Sequence, residues 1–302
     1  MPKRHPYVIT IATVSGYGVD RIPILLDTDP GSDIDDALAL AYLLREPRCE
    51  LIGVTTVTGD VAKRAAIVEI ICGAFGREDV PIHCGASDTL AGGPGQPRVP
   101  QYDAIAHLPH RMDRPQNTAV DYLRETIRSR PGEITLLSIG PFTNLAILFA
   151  LDPEIPKLLK GLISMGGCFD RPGCEWNALC DPYATVATIM RSARQTWVGL
   201  DVTMQCQMAP EEVRAKFAKP PLDVLLLMAE RWFQDANKIT FHDPLAAAVI
   251  FHPELCRYSD GLVVARMTED GLRTEFTPGM GGHRIATEVD VAPFFEEYFG
   301  VF

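Results

Sequence analysis

Five carboxylates, Asp27, Asp29, Asp33, Asp35 and Asp36, crowd one short stretch of this chain with no His or Cys among them. Like charges at that density repel strongly unless protons, hydrogen bonds or a cation offset them. An all-oxygen ligand set suits a hard cation such as Ca²⁺ or Mg²⁺ better than zinc. One or two acids would be enough to cap a helix and complement its dipole. Five exceed that need, so the stretch reads first as a metal site.

The flanking residues explain why these acids would converge. Ile22 to Leu26 has the continuous apolar character of a strand buried on both faces, the mark of a parallel sheet. Pro30-Gly31 then forces a turn. Ser32 is a candidate N-cap with Asp35 three residues on, and Ala37 to Leu44 is strong helix-forming sequence. The acids therefore sit at the C-terminal end of a strand, where open α/β sheets bind ligands.

The β-then-α rhythm repeats along the chain. Strands are expected at Leu51–Val57, Val80–Cys84, Ile134–Ile139, Leu162–Met165 and Thr196–Leu200, with helices at about Val61–Phe75, Asn117–Arg130 and up to Leu151. Asp181-Pro182 opens a further helix, with Pro at its favoured first position. Helices over Pro210–Phe217 and Leu222–Asn237 follow, then His242-Asp243-Pro244 before another helix start. Strands at 262–267, 273–276 and 284–289 and a helix over Ala292–Phe299 close the chain. Periodicity is lost from Gly85 to about Arg114, a stretch long enough to be a lid over the acidic site; His83, His107 and His110 lie in or beside it. The fold class expected is α/β: a single domain with a mainly parallel, Rossmann-like sheet flanked by helices.

The 302 residues include 28 basic and 39 acidic side chains, a net charge of −11. That balance argues against a nucleic-acid or anionic-membrane surface, which would need a basic footprint, and no segment approaches the ~20 apolar residues of a membrane span. Eight cysteines without paired CxxC spacing suit a reduced, cytoplasmic protein. Residues 1–21 read as an N-terminal extension and 22–302 as the catalytic domain.

Four separated motifs stand in register: Asp27-Thr28-Asp29-Pro30-Gly31; Gly140-Pro141-Phe142-Thr143-Asn144; Met165-Gly166-Gly167 with Glu175-Trp176-Asn177 and Asp181-Pro182; and His242-Asp243-Pro244. In order and spacing the chain resembles the nucleoside hydrolases, the inosine-uridine preferring family of N-ribohydrolases, from about Ile22 to its end. The resemblance implies the nucleoside hydrolase fold, one Ca²⁺ at the bottom of the pocket, a small-molecule ribonucleoside substrate and a homodimer or homotetramer. It implies metal ligation by Asp29, Asp36 and Asp243 with the backbone carbonyl of Ile139, and ribose binding by Asp35, Glu175 and Asn177, with Met165 also in the substrate pocket. Calcium would order two sugar hydroxyls and a water, Asp29 would take the water's proton, and an oxocarbenium-like transition state would be stabilised by the acids. His242 is the candidate proton donor to the leaving base. Trp232, Phe233 and Phe241 are candidates to stack on the base.

Three departures from the family pattern bear on the site. Ser32-Asp33-Ile34 lengthens the first motif, so Asp33 is an alternative to Asp35 or Asp36. Asp60 stands where many members have Asn and would add a negative charge beside the substrate and metal. The loop from Met165 to Glu175 is short, holds Cys168 and Cys174, and offers no match for the Asn that often reaches the sugar's 5′ end. Two other readings fit part of the pattern: a calcium-dependent ribose- or nucleoside-binding protein without turnover, and an Asp-based, Mg²⁺-dependent phosphatase using Asp27-x-Asp29.

Overall fold

The computed structural model describes residues 21–192 and 194–302. The expected N-terminal extension, apart from Arg21, lies outside the described residues. Among the described residues eleven strands run in chain order: β1 (Ile22–Thr28), β2 (Cys49–Thr56), β3 (Ile82–Cys84), β4 (Thr135–Ser138), β5 (Gly161–Met165), β6 (Gln195–Val198), β7 (Gln207–Met208), β8 (Ile239–Thr240), β9 (Cys256–Thr268), β10 (Gly271–Pro278) and β11 (His283–Val289). Nine of them form one sheet in the order β10-β9-β11-β6-β5-β4-β1-β2-β3, and β7 and β8 pair separately.

From β3 to β11 the pairings are parallel. β9 joins the sheet antiparallel to β11, and β10 antiparallel to β9. The 3-2-1-4-5-6 portion has Rossmann-like order, so the switch point, where the connections diverge to opposite sides, falls between β1 and β4. Those are the strands that lead into Asp29 and Ile139.

Burial explains the unbroken apolar run of β1: Ile24, Leu25 and Leu26 are all fully buried, Ile24 and Leu26 in one core cluster and Leu25 in the other. The first cluster packs helices Asp35–Arg45, Val61–Ala74, Asp223–Trp232 and His242–Ala248 with the closing helix Val291–Gly300; the second packs Ala119–Ser129, Thr143–Leu151 and Pro182–Arg191. The sheet is thus a middle layer between two helical ones, as continuous apolar strands require. None of the described helices is long and apolar enough to cross a membrane.

Two local expectations change. Ser32 does not cap the first helix: that helix begins at Asp35 behind Ile34, with no side-chain cap bond. The Ser32 hydroxyl instead donates to the Arg98 carbonyl (3.0 Å), across to the 85–114 segment. The segment after Met165 is not wholly irregular, since Trp176–Cys180 forms a short helix capped by Glu175.

Candidate active site

The C-terminal ends of β1, β4 and β5 open into a cavity of about 410 Å³. Asp29, Asp33, Asp35, Asp36, Glu175 and Asp243 line it, together with Ile139, Met165, Asn177, Trp232 and His242. Of the expected catalytic, metal-ligating and sugar-binding residues, Asp60 is the exception. It stands at the N-terminus of helix Val61–Ala74, where its carboxylate accepts from Lys63 N (3.0 Å), and it is absent from the lining. The physical reason is its helix-cap role: an acid at that position is held by the helix amides.

Two helices aim their N-termini at the cavity, Asp35–Arg45 and His242–Ala248, and they pack against each other. Asp35, Asp36 and Asp243 therefore occupy first turns, where the helix dipoles favour negative charge. Each of the three is buried, and each offers a carboxylate oxygen such that these oxygens lie within 4.8 Å of one another. The Asp243 amide donates to Asp35 Oδ2 (3.3 Å), while Asp29 N and Thr28 Oγ1 donate to Asp36 Oδ1, the first at 2.9 Å. Asp35 stands within this trio. Asp29 lies beside it, its carboxylate 3.8 Å from the guanidinium of Arg64.

The electrostatics match a site built for a cation. Burial, followed by repulsion from Asp36, raises the Asp29 carboxyl well above its ordinary range; burial and repulsion from neighbouring acids do the same to Asp35 and Asp243. Burial also raises Asp36, and it pushes Asp33 up to about 7. Buried carboxylates of one sign with all-oxygen donors are the environment that a hard divalent cation relieves. The residues present fit such an ion.

Asp27 has a separate role. Its carboxylate accepts from Thr55 Oγ1 and from Asn144 Nδ2 (2.7 Å), and burial raises it to about 7. It belongs to the packing beneath the site and is absent from the lining. Gly140 opens room above: a Cβ there would stand 2.8 Å from Asp29 Oδ1.

Glu175 accepts from the amides of Asn177 (2.7 Å), Ala178 (2.9 Å) and Gly167 (3.2 Å), which fix it at the cavity wall against the desolvation that raises its pKa. Asn177 Nδ2 donates to the Ile139 carbonyl (2.9 Å) and to the Met165 carbonyl (3.3 Å). The carbonyl expected to face a metal thus has one lone pair engaged and one remaining, and the amide oxygen of Asn177 remains for a sugar hydroxyl.

His242 Nδ1 is 2.7 Å from Thr203 Oγ1, and burial lowers the imidazole to about 4. With the hydroxyl as donor, the ring is neutral and carries its proton on Nε2. Trp232 lines the cavity, but Phe241 is fully buried in the core and Phe233 lies under Arg214. His83 stacks on Tyr122, and His110 bonds the Tyr102 hydroxyl; neither these nor His107 reaches the lining.

Two residues escaped the sequence reading. Arg64 is fully buried; it donates from Nε to the Thr58 carbonyl (2.7 Å), from Nη1 to the carbonyls of Asp29 and Pro30 and to Ser32 Oγ, and from Nη2 to the Gln96 carbonyl (2.7 Å). It ties the acidic turn to the 85–114 segment. The available signal was a lone charge on the buried face that Val61, Ala65 and Val68 define. Gln96, which lines the cavity, lay in an aperiodic Gly-Pro stretch with no signal at all.

The family model described as inosine-uridine preferring nucleoside hydrolase matches residues 24–296 of the chain. The chain is 28% identical to uridine nucleosidase 1 of Arabidopsis thaliana over 263 residues, 80% of this chain and 77% of the relative. It is 30% identical to a probable uridine nucleosidase 2 of the same plant over 280 residues, 85% of each. Among solved structures, a plant nucleoside hydrolase, the PpNRh1 enzyme, superposes with a TM-score of 0.81 at 25% identity, covering 93% of this chain and 98% of that one.

Proposed function

Since the chain belongs to the inosine-uridine preferring nucleoside hydrolase family, we propose that it hydrolyses the N-glycosidic bond of ribonucleosides, with Ca²⁺ as its cation, and that residues 22–302 form the catalytic unit. The observation that carries the reading is the cavity itself: six carboxylates line it, and no Lys or Arg does among the described residues. Such a wall stabilises a sugar that becomes positively charged as its bond to the base breaks. It is a poor seat for a phosphate, which weakens the phosphatase reading.

Asp29, Asp36 and Asp243 would hold the cation, with the free lone pair of the Ile139 carbonyl beside them, and Asp35, whose carboxylate stands close to those of Asp36 and Asp243, would accept from a ribose hydroxyl. Bound there, calcium supplies fixed positive charge that attracts sugar hydroxyls and acidifies water next to it. Glu175 and the amide oxygen of Asn177 accept hydrogen bonds from ribose hydroxyls and hold the sugar. Asp29, raised by burial, also takes the proton from the attacking water. His242, neutral with its Nε2 proton, donates a hydrogen bond to the departing base. Met165 and Trp232 close the sides of the pocket.

Incubation of the protein with inosine and with uridine, followed by chromatography of the products, tests this. Free hypoxanthine or uracil in equal amount to ribose supports hydrolysis. Intact nucleosides together with measurable nucleoside binding would mark a binding protein without turnover.

A further inference from the structure

Hydrolysis leaves a base to be recognised, and the inference here rests on that reading. The lining is rich in acceptors: Asp29, Asp33, Asp35, Asp36, Glu175 and Asp243 suit ribose hydroxyls, which donate. A nucleobase also presents acceptors of its own, ring carbonyls and bare ring nitrogens, and these need donors that carboxylates do not supply.

Most donors of the lining are committed elsewhere. Ser32 Oγ donates to the Arg98 carbonyl (3.0 Å), Asn177 Nδ2 to the carbonyls of Ile139 and Met165, and the Trp232 indole to the Lys238 carbonyl (2.9 Å). His242 has one ring proton, already assigned to the leaving nitrogen. Trp176 is 52% exposed and offers one donor.

Gln96 differs. Its main chain is fixed: its amide donates to Thr58 Oγ1 (3.0 Å) and its carbonyl accepts from buried Arg64 (2.7 Å). Gly59, at φ +62°, makes the approach possible, because a Cβ there would stand 2.1 Å from the Gln96 carbonyl oxygen. The side chain is half-buried at the cavity wall, where Oε1 takes only a long 3.4 Å bond from Arg98 N, and Nε2 has no hydrogen bond among the described residues.

We propose that Gln96 is a specificity residue for the nucleobase. Its carboxamide pairs with the edge of the base where a carbonyl adjoins a ring N–H, an edge that hypoxanthine and uracil share: Nε2 donates to the carbonyl and Oε1 accepts from the N–H. A carboxamide is the side chain that matches such an edge with two bonds. The backbone anchors hold the main chain of Gln96 in place before the substrate arrives, so only its side-chain rotamer has to be ordered on binding.

The test compares Gln96→Leu and Gln96→Glu with the wild type on inosine, uridine and p-nitrophenyl β-D-riboside, whose leaving group has neither a ring carbonyl nor a ring nitrogen. Loss of the paired bonds lowers kcat/KM for both nucleosides by ~10-fold or more while the p-nitrophenyl riboside changes by less than ~2-fold. Equal losses on all three substrates would mean that Gln96 serves the sugar or the fold, and unchanged values on all three would mean that it touches nothing; either overturns the proposal. A wild type that cleaves p-nitrophenyl riboside shows that the hydrolase reading stands whatever the variants do, whereas one that cleaves none of the three sinks both.

Discussion

Arg64→Met removes the charge and the fork at the centre of the site while keeping a long apolar stem. Five hydrogen bonds leave with the guanidinium, and the carbonyls of Asp29, Pro30, Thr58 and Gln96 lose a buried donor. Each orphaned group costs ~1 kcal/mol at the low end, and a carboxylate losing its buried partner adds to that. Partial relaxation leaves a net loss of ~5 kcal/mol. For 302 residues the unfolding entropy near the midpoint is ~0.6 kcal/mol/K, so the melting temperature falls by ~8 °C. Arg64→Lys keeps the charge but cannot reach four carbonyls at once, and recovers about half of that loss. Thermal melts followed by circular dichroism, with denaturant titrations alongside, measure both variants. A fall of less than ~2 °C for the Met variant would refute the view that this buried side chain ties the acidic turn to the neighbouring loop.

The metal-free protein loses stability as pH rises from about 4 to 7, because Asp27 and Asp33, held near 7, and the raised Asp29, Asp35 and Asp243 favour protonated forms in the fold; such stability is complete below the unfolded value and lost through the folded one. His242, lowered to about 4, works in the opposite sense below its unfolded value, but it is one group against those five carboxyls and the raised Asp36 and Glu175. Calcium at about a hundred times its Kd adds ~2.7 kcal/mol, or 4–5 °C in melting temperature, and flattens that slope; a melting profile against pH that calcium leaves unchanged would exclude binding at these acids. Asp29→Asn keeps the fold within ~1 kcal/mol and lowers kcat by at least ~100-fold, measured by base release; near-normal turnover would remove it as the base. His242→Ala slows inosine and uridine more than p-nitrophenyl riboside, and equal slowing of all three would show that it does not assist the leaving group.

Much of this arrangement was legible because it depends on short-range rules. The apolar run of β1, the Pro30-Gly31 turn and the acids behind it announce a parallel strand delivering carboxylates to a ligand edge, and the sheet order confirms that placement. Asp181-Pro182 reads as a helix start with Pro at its first position, and a helix does begin at Pro182, where Asp181 accepts from Ala184 N (3.0 Å). What escaped depends on long-range partners. Ser32 has the local chemistry of an N-cap, yet a carbonyl 66 residues away claims its hydroxyl. Asp27 and Asp29 are chemically alike in sequence, but Asp27 is still within β1 and packs with Thr55 and Asn144, whereas Asp29 lies one residue past the strand's end at Thr28, where the chain turns, and faces the cavity. Asp60 reads from its sequence neighbours as a substrate residue, whereas the Lys63 amide in the first turn of the following helix holds its carboxylate. The importance of Arg64 arises only when three separate backbone segments close around it.

The most direct measurement of the central claim is ribose release from a panel of purine and pyrimidine ribonucleosides, by a reducing-sugar assay with calcium present and again after chelation. A calcium-dependent hydrolase releases ribose from at least one member, stops on chelation and recovers when calcium is restored. Release that persists in full after the metal has been stripped, or silence across the panel from protein that binds calcium, would contradict it.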